Sequence, residues 1–252
     1  MLGSRDLWGS HNMSVFRTTL CAIALLSPVM ASGDCTEDAM LVFDASGSMA
    51  EMGYNGLDIP RIFEAREALE RVLPDVTPIR RVGLVVYGPG TAEACSNVDL
   101  RLPPTPNAAG PILSEVRTIE PNGNTALTQA VEEAAEALMY RDQPGTVVLV
   151  TDGKETCGGA TCMVAANLAA AGKSLTVHVI GFRVRGDFFG WEGADANPDP
   201  EVEISAARCL ADKNGGLYVP AETTQELVDA LNKTLGCPVY GRLEDTKDLR
   251  PS

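Results

Sequence analysis

The feature that most constrains this chain is an alternation of two kinds of segment. Short apolar runs rich in β-branched residues, at 40–43, 82–87, 146–150 and 175–182, are interspersed with longer stretches whose apolar residues recur at helical spacing. A strand that is apolar on both sides has to be covered on both sides, and strands joined through helices run parallel. The first helix is expected over 61–73, where Ile62, Ala65, Leu69, Val72 and Leu73 share a face, with Pro74 as its stop. Further helices are expected at 111–116, 126–139, 163–171 (closed by Gly172), 201–213 and 224–235 (closed by Gly236), with a short last strand at 217–219. Residues 98–102 differ, because Asp99 and Arg101 alternate with apolar neighbours; this suits a half-exposed edge strand, antiparallel to 82–87 and followed by a loop rich in proline (Pro103, Pro104, Pro106). The pattern as a whole predicts an α/β fold: a doubly wound, mostly parallel six-stranded sheet with one antiparallel edge strand and helices on both faces.

The N-terminus carries a different signal. Arg17, the apolar run 20–26, Pro28 and the small residues after it have the order of a secretory signal, with Met13 as the better start and cleavage expected after Ala31 or Gly33. That assigns 1–31 to a signal peptide with an N-terminal extension, 35–237 to one folded domain and 238–252 to a short charged tail. The apolar run falls short of the roughly 20 residues that span a bilayer, and no later stretch approaches that length, so the mature chain is expected to lack a transmembrane segment. Asp34, in place of a small residue before Cys35, argues against lipidation. The expected location is secreted or periplasmic.

Charge and cysteines narrow the chemistry. The whole chain carries −14; residues 1–31 hold Arg5 and Arg17 against Asp6, a net of +1, so the mature form carries −15. Such a balance argues against nucleic acid and anionic membranes as partners and otherwise serves solubility. Cys21 leaves with the signal, and the six that remain (Cys35, Cys95, Cys157, Cys162, Cys209, Cys237) form an even set that reads as three disulfides in an exported chain. Cys35 with Cys237, which bracket the domain, is the first expected pair and Cys157 with Cys162 the second, leaving Cys95 with Cys209. A zinc site would need a second close pair or a histidine at matching spacing, and there is neither.

In an open parallel sheet, functional groups collect at the carboxyl ends of strands, which is where Asp44-Ala45-Ser46-Gly47-Ser48 falls. One carboxylate and two hydroxyls in five residues, with a glycine to tighten the turn, make a set of hard oxygen donors suited to Mg²⁺, with Mn²⁺ or Ca²⁺ as alternatives. Asn122-Gly123-Asn124-Thr125, directly before a helix, and Thr151-Asp152-Gly153, directly after a strand, fall where they could complete the same centre. Taken singly, Thr125 reads as a helix cap and Asp152 as a turn former.

Together these three segments resemble the metal-ion-dependent adhesion site of von Willebrand factor A and integrin I domains, with matching spacing over roughly residues 38–236. The resemblance implies that Ser46 and Ser48 coordinate the metal directly, that Thr125 and Asp152 do so directly or through water, and that Asp44 acts chiefly through water and by orienting the serines. It also implies a partner protein whose Asp or Glu carboxylate completes the metal, as binding without turnover. The segment 156–162, with its two cysteines, resembles one in exported bacterial members and implies a stiffened rim beside the metal. The long stretches 50–60 and 183–200 are expected on the metal-bearing face; Phe188, Phe189 and Trp191 in the second would either contact the partner or pack under their own loop.

Two other readings compete. An enzyme would need more: a phosphoryl-accepting Asp44 lacks the second aspartate, since Ser46 stands there, and no Gly-x-Ser-x-Gly elbow or Walker-type loop occurs. His178 sits within a strand and His11 leaves with the N-terminus, so no catalytic histidine is expected. The other reading keeps the fold but makes the metal purely structural, with the domain a module of an envelope assembly. Partner identity, disulfide connectivity and oligomeric state do not follow from the residues.

Overall fold

The computed structural model describes residues 37–52, 59–90, 95–153, 155–184 and 200–236, all within the compact unit Gly33–Ser252. Its strands are β1 (Ala39–Asp44), β2 (Val82–Tyr87), β3 (Val98–Thr105), β4 (Pro144–Thr151), β5 (Ser174–Phe182) and β6 (Tyr218–Ala221). Its helices are α1 (Arg61–Val76), α2 (Ala109–Thr118), α3 (Leu127–Ala137), α4 (Thr161–Ala171), α5 (Pro200–Lys213) and α6 (Thr224–Thr234). The six strands form one sheet in the order β3-β2-β1-β4-β5-β6, parallel throughout except for the antiparallel β2–β3 edge. This is the doubly wound sheet expected from the sequence.

Strand β1 lies at the centre, and its side chains divide between the two layers. Ala39, Leu41 and Phe43 pack with α1, α2 and α6, while Met40 and Val42 pack with α3, α4 and α5. Every residue of β1 is fully buried, which accounts for the continuous apolar run that announces it. Burying a side chain such as Leu41 or Phe43 stabilises the fold by about 1.5–3 kcal/mol. The chain leaves β1 toward β2 on one side and later fills β4 on the other, so the β1/β4 boundary is where the winding reverses. Phe43 pairs with Val150, which places Asp44 beside Thr151 at the carboxyl end of that boundary.

Two elements run past their expected ends. Helix α1 continues through Pro74 to Val76, because the proline falls in the last turn, where its missing N–H costs one bond, and Val76 and Thr77 bury on the sheet. Strand β3 continues through Pro103 and Pro104 to Thr105, displacing the loop expected there. An edge strand leaves one side of its backbone without partners, so proline is tolerated, and the register with β2 shifts near Gly83 as the two chains converge.

Two disulfides join the described cysteines, and they correct the expected pairing. Cys95 bonds Cys157, with Cα atoms 5.5 Å apart, and Cys162 bonds Cys209, with Cα atoms 5.0 Å apart. Cys157 and Cys162 do not pair with each other, because Thr161 begins α4 and the helix packs Cys162 against α5 while Cys157 stays in the loop facing the β2–β3 connection. These four cysteines are thereby unavailable as zinc thiolates. Cys35 and Cys237 lie outside the described residues, as do residues 1–31 and 238–252, where a signal peptide and a tail are expected.

Candidate metal centre

Four of the residues singled out in the sequence, Asp44, Ser46, Ser48 and Asp152, converge at the carboxyl end of β1 and β4. Both oxygens of Asp44 are engaged by the protein: Oδ1 accepts from the Ser46 N–H at 2.8 Å and Oδ2 from the Thr151 hydroxyl at 2.7 Å. The first bond is a local turn that folds the backbone so that Ser46 and Ser48 come together, their hydroxyl oxygens 3.1 Å apart. The Ser48 hydroxyl donates to Asp152 Oδ1 at 2.6 Å. Asp44, Ser46 and Asp152 are almost completely buried.

Neighbouring loops fix this turn from both sides. The Gly47 N–H donates to the Gly123 carbonyl at 3.0 Å and the Asn122 N–H to the Ala45 carbonyl at 3.0 Å, which locks the 122–125 segment onto the turn. Gly88, at the end of β2, has φ +103° and lies so close that a Cβ there would sit 2.4 Å from the Ser46 nitrogen. Any other residue at this position would push the turn away.

Thr125 is buried, two residues after Gly123, whose carbonyl holds the turn, and it does not cap α3: Ala126 holds the cap position and makes no side-chain capping bond. Glu155 takes that role from the opposite loop. Its Oε2 accepts from both the backbone and the hydroxyl of Thr128, and its Oε1 accepts from the Cys157 N–H. Thr125 is pinned through its backbone instead, donating its N–H to Thr156 Oγ1 at 2.8 Å while its carbonyl accepts from the Thr156 N–H at 3.0 Å.

Arg61, the first residue of α1, completes the cluster. Only 1% exposed, its Nη1 donates to Asp152 Oδ2 at 3.0 Å and to the Ser48 carbonyl at 3.2 Å, with Glu51 at 3.5 Å. Sequence reasoning placed this arginine at a helix start and gave it no role. The signal was there: Arg61 lies four residues before Ala65 and eight before Leu69, on the buried face of α1. Burial and the neighbouring Asp44 charge raise the Asp152 carboxyl to about 7, and the Ser48 hydrogen bond and Arg61 pull against that rise. Burial likewise pushes the Tyr87 phenol, which donates to Thr151 Oγ1 at 3.1 Å, well above its ordinary value.

The donor set fits a hard divalent cation. Magnesium–oxygen bonds of about 2.0–2.1 Å in octahedral geometry put adjacent ligand oxygens about 2.9 Å apart, close to the Ser46–Ser48 separation. Among the described residues no three His, Cys, Asp or Glu side chains gather at one point, so hydroxyls make up much of this site's donor set. Phe188, Phe189 and Trp191, expected at the rim, lie outside the described residues. His178 sits in β5, where its Nδ1 accepts from the Leu217 N–H at 3.0 Å.

A parallel sheet carrying a hydroxyl-and-carboxylate cluster at its winding reversal defines a class: doubly wound domains with a strand-end ligand site. Residues 39–155 match the family model described as von Willebrand factor type A domain, and the chain carries that fold. It is similar to the uncharacterized protein YwmC of Bacillus subtilis (strain 168), with 26% identity over 236 residues, covering 85% of this chain and 92% of the relative. Among solved structures it is similar to proximal thread matrix protein 1 from the mussel byssus with a zinc-occupied MIDAS motif, at TM-score 0.54 and 15% identity over 81% of this chain and 46% of that one. It is also similar to the pilus adhesin SpaC of Lactobacillus rhamnosus GG, at TM-score 0.56 and 17% identity over 79% of this chain and 30% of that one. The chain thus spans less than half of either solved protein, and at these identities the likeness speaks to the fold.

Proposed function

We propose that the chain is an exported, metal-dependent protein-binding domain of the adhesion or assembly kind. In this reading Mg²⁺ is held by Ser46, Ser48, Thr125 and Asp152, with Asp44 acting through water, and a partner's Asp or Glu carboxylate completes the coordination. The observation that carries it is the pairing of the two serine hydroxyls at 3.1 Å, beside Asp152 and with both Asp44 oxygens already engaged. That arrangement leaves few charges to face a metal, so the metal stays electrophilic toward an incoming carboxylate. The mussel protein's zinc-occupied motif makes a divalent ion plausible here, and the fold shared with a pilus adhesin favours binding over turnover. The disulfides among the described residues agree with an extracytoplasmic setting.

One observation favours the alternative of a structural module. Arg61 compensates Asp152 from within the fold, so that one carboxylate is charge-paired by the protein itself. Calorimetry with Mg²⁺ and Mn²⁺ separates the two readings. Alanine at position 152 would strip Arg61 of its buried partner and cost stability by itself, so Asp152→Asn is the cleaner variant. Saturable one-site binding in the wild type, weakened at least tenfold in Asp152→Asn and followed by metal-dependent glutarate binding, is expected. Equal metal affinity in the two proteins would sink the assignment.

A further inference from the structure

The buried arginine at the head of α1 is the cluster member that the metal-binding reading leaves without a task. Its position is unusual on two counts. A cation at a helix N-terminus meets the positive end of the helix dipole, and a cation beside a metal site repels the metal. Surface arginines avoid both costs by turning to solvent, yet Arg61 is held inward by Asp152 Oδ2, by the Ser48 carbonyl and by Glu51.

Resting on the proposed metal site, we infer that Arg61 is a specificity-determining residue: its fixed charge leaves the loaded centre with net positive charge, so that an anionic ligand is required to complete it. The count is direct. Among the buried groups, Asp44 and Asp152 contribute −2, Arg61 +1 and a divalent ion +2, which sums to +1 with Arg61 and to zero without it; Glu51, whose side chain is 64% exposed, is screened by solvent and left out. Because Arg61 engages Oδ2, Asp152 presents Oδ1, the oxygen beside Ser48, toward the donor cluster. The residue trades metal affinity for carboxylate selectivity: it competes with the ion for Asp152 and attracts the anion that follows. A neutral site would hold its metal more tightly and accept water as readily as a partner.

The test reads two affinities that should move in opposite directions. Calorimetry at pH 8 measures Mn²⁺ binding, then glutarate binding to the Mn²⁺-saturated protein, for wild type, Arg61→Gln and Arg61→Lys. Neutral glutamine should raise Mn²⁺ affinity about fivefold or more and lower glutarate affinity by a similar factor, as expected for unit charges a few Å apart in a partly screened medium. Lysine, which restores a positive charge without the guanidinium's fork of donors, should move both affinities back from the glutamine values toward wild type. A merely structural arginine would lose both affinities together in the glutamine variant. That result, or no change, overturns the role of Arg61 while the metal-binding reading stands; a wild type that takes up no metal overturns both. Should Arg61→Gln fail to fold, wild type decides by ligand charge: at least tenfold preference for glutarate over neutral glutaramide is expected, and a smaller preference overturns the inference.

Discussion

A single hydroxyl couples the sheet to the site. Thr151 Oγ1 donates to Asp44 Oδ2 and accepts from the phenol of Tyr87, both fully buried groups on the neighbouring strands β1 and β2. Replacing Thr151 with valine keeps the shape and removes both bonds, leaving the buried Asp44 carboxylate with the Tyr87 phenol, which also interacts with it, as its remaining hydroxyl partner. The expected cost is about 1–3 kcal/mol of stability. Metal affinity should fall at least fivefold with it, since Asp44 would be free to turn away from the serines; denaturant unfolding and Mn²⁺ calorimetry on one preparation check both, and unchanged metal affinity would show that Asp44 does not depend on this anchor. At this scale the sequence was legible wherever chemistry was written in consecutive residues. Asp44, Ser46 and Ser48 share one turn, and Asp152 sits in a turn of its own. Arg61 was legible only as a place on the buried face of α1 and Glu155 not at all, because their partners are far along the chain, 91 residues away for Arg61–Asp152 and 27 for Glu155–Thr128, and a charged side chain alone reads as solvated.

Elements were legible to the extent that their apolar pattern was regular. Continuous apolar runs, the alternation at 98–102 and helical spacing located all six strands and six α-helices described, while ends decided by tertiary contacts, such as those of α1 and β3, ran further than local breakers allow. Disulfide pairing belongs to the same category: which cysteines meet depends on how α4 and the β2–β3 connection pack, and chain spacing carries no trace of that. The Cys95–Cys157 bond closes 62 residues and ties the β2–β3 connection to the loop that holds Thr125 through Thr156. Asn124 touches the same bridge, its amide nitrogen 3.6 Å from Cys95 Sγ. Changing both cysteines to serine should lower stability by about 4 kcal/mol on the loop-entropy estimate. If the bridge also stiffens the rim, Mn²⁺ affinity should drop at least threefold in the variant that remains folded. Cys162→Ser/Cys209→Ser, which removes the α4–α5 bridge, serves as the comparison, and an equal loss of metal affinity in both would show that the effect is global.

Away from the candidate metal centre, Arg80 organises the opposite end of the sheet and with it the molecule's response to acid. Its guanidinium donates to the Glu37 carbonyl, the Leu235 carbonyl and the Thr146 hydroxyl, so that one side chain joins the first described segment, the end of the last helix and β4. Thr146 lies two residues before Val148, which pairs with His178 on β5, and the Arg80 charge reaches that imidazole. Burial first, and Arg80 second, lower His178 to about 4, and the Leu217 N–H donates to its Nδ1, which must stay unprotonated to accept. The sign follows from where the proton binds. An unfolded chain takes up a proton at this residue near pH 6.5, while the folded chain resists it down to about 4. The stabilising contribution is therefore complete above pH 6.5 and is lost progressively as pH falls toward 4. For a ring that is only partly buried, about 1–2 kcal/mol is expected after solvent screening. His178→Asn offers an oxygen to the same Leu217 N–H and cannot titrate, so the difference in unfolding free energy between wild type and variant should narrow by that amount between pH 7 and pH 4.5. Urea unfolding at several pH values across this window measures it, and a difference that stays constant with pH would mean that His178 is protonated as easily in the folded chain as in the unfolded one.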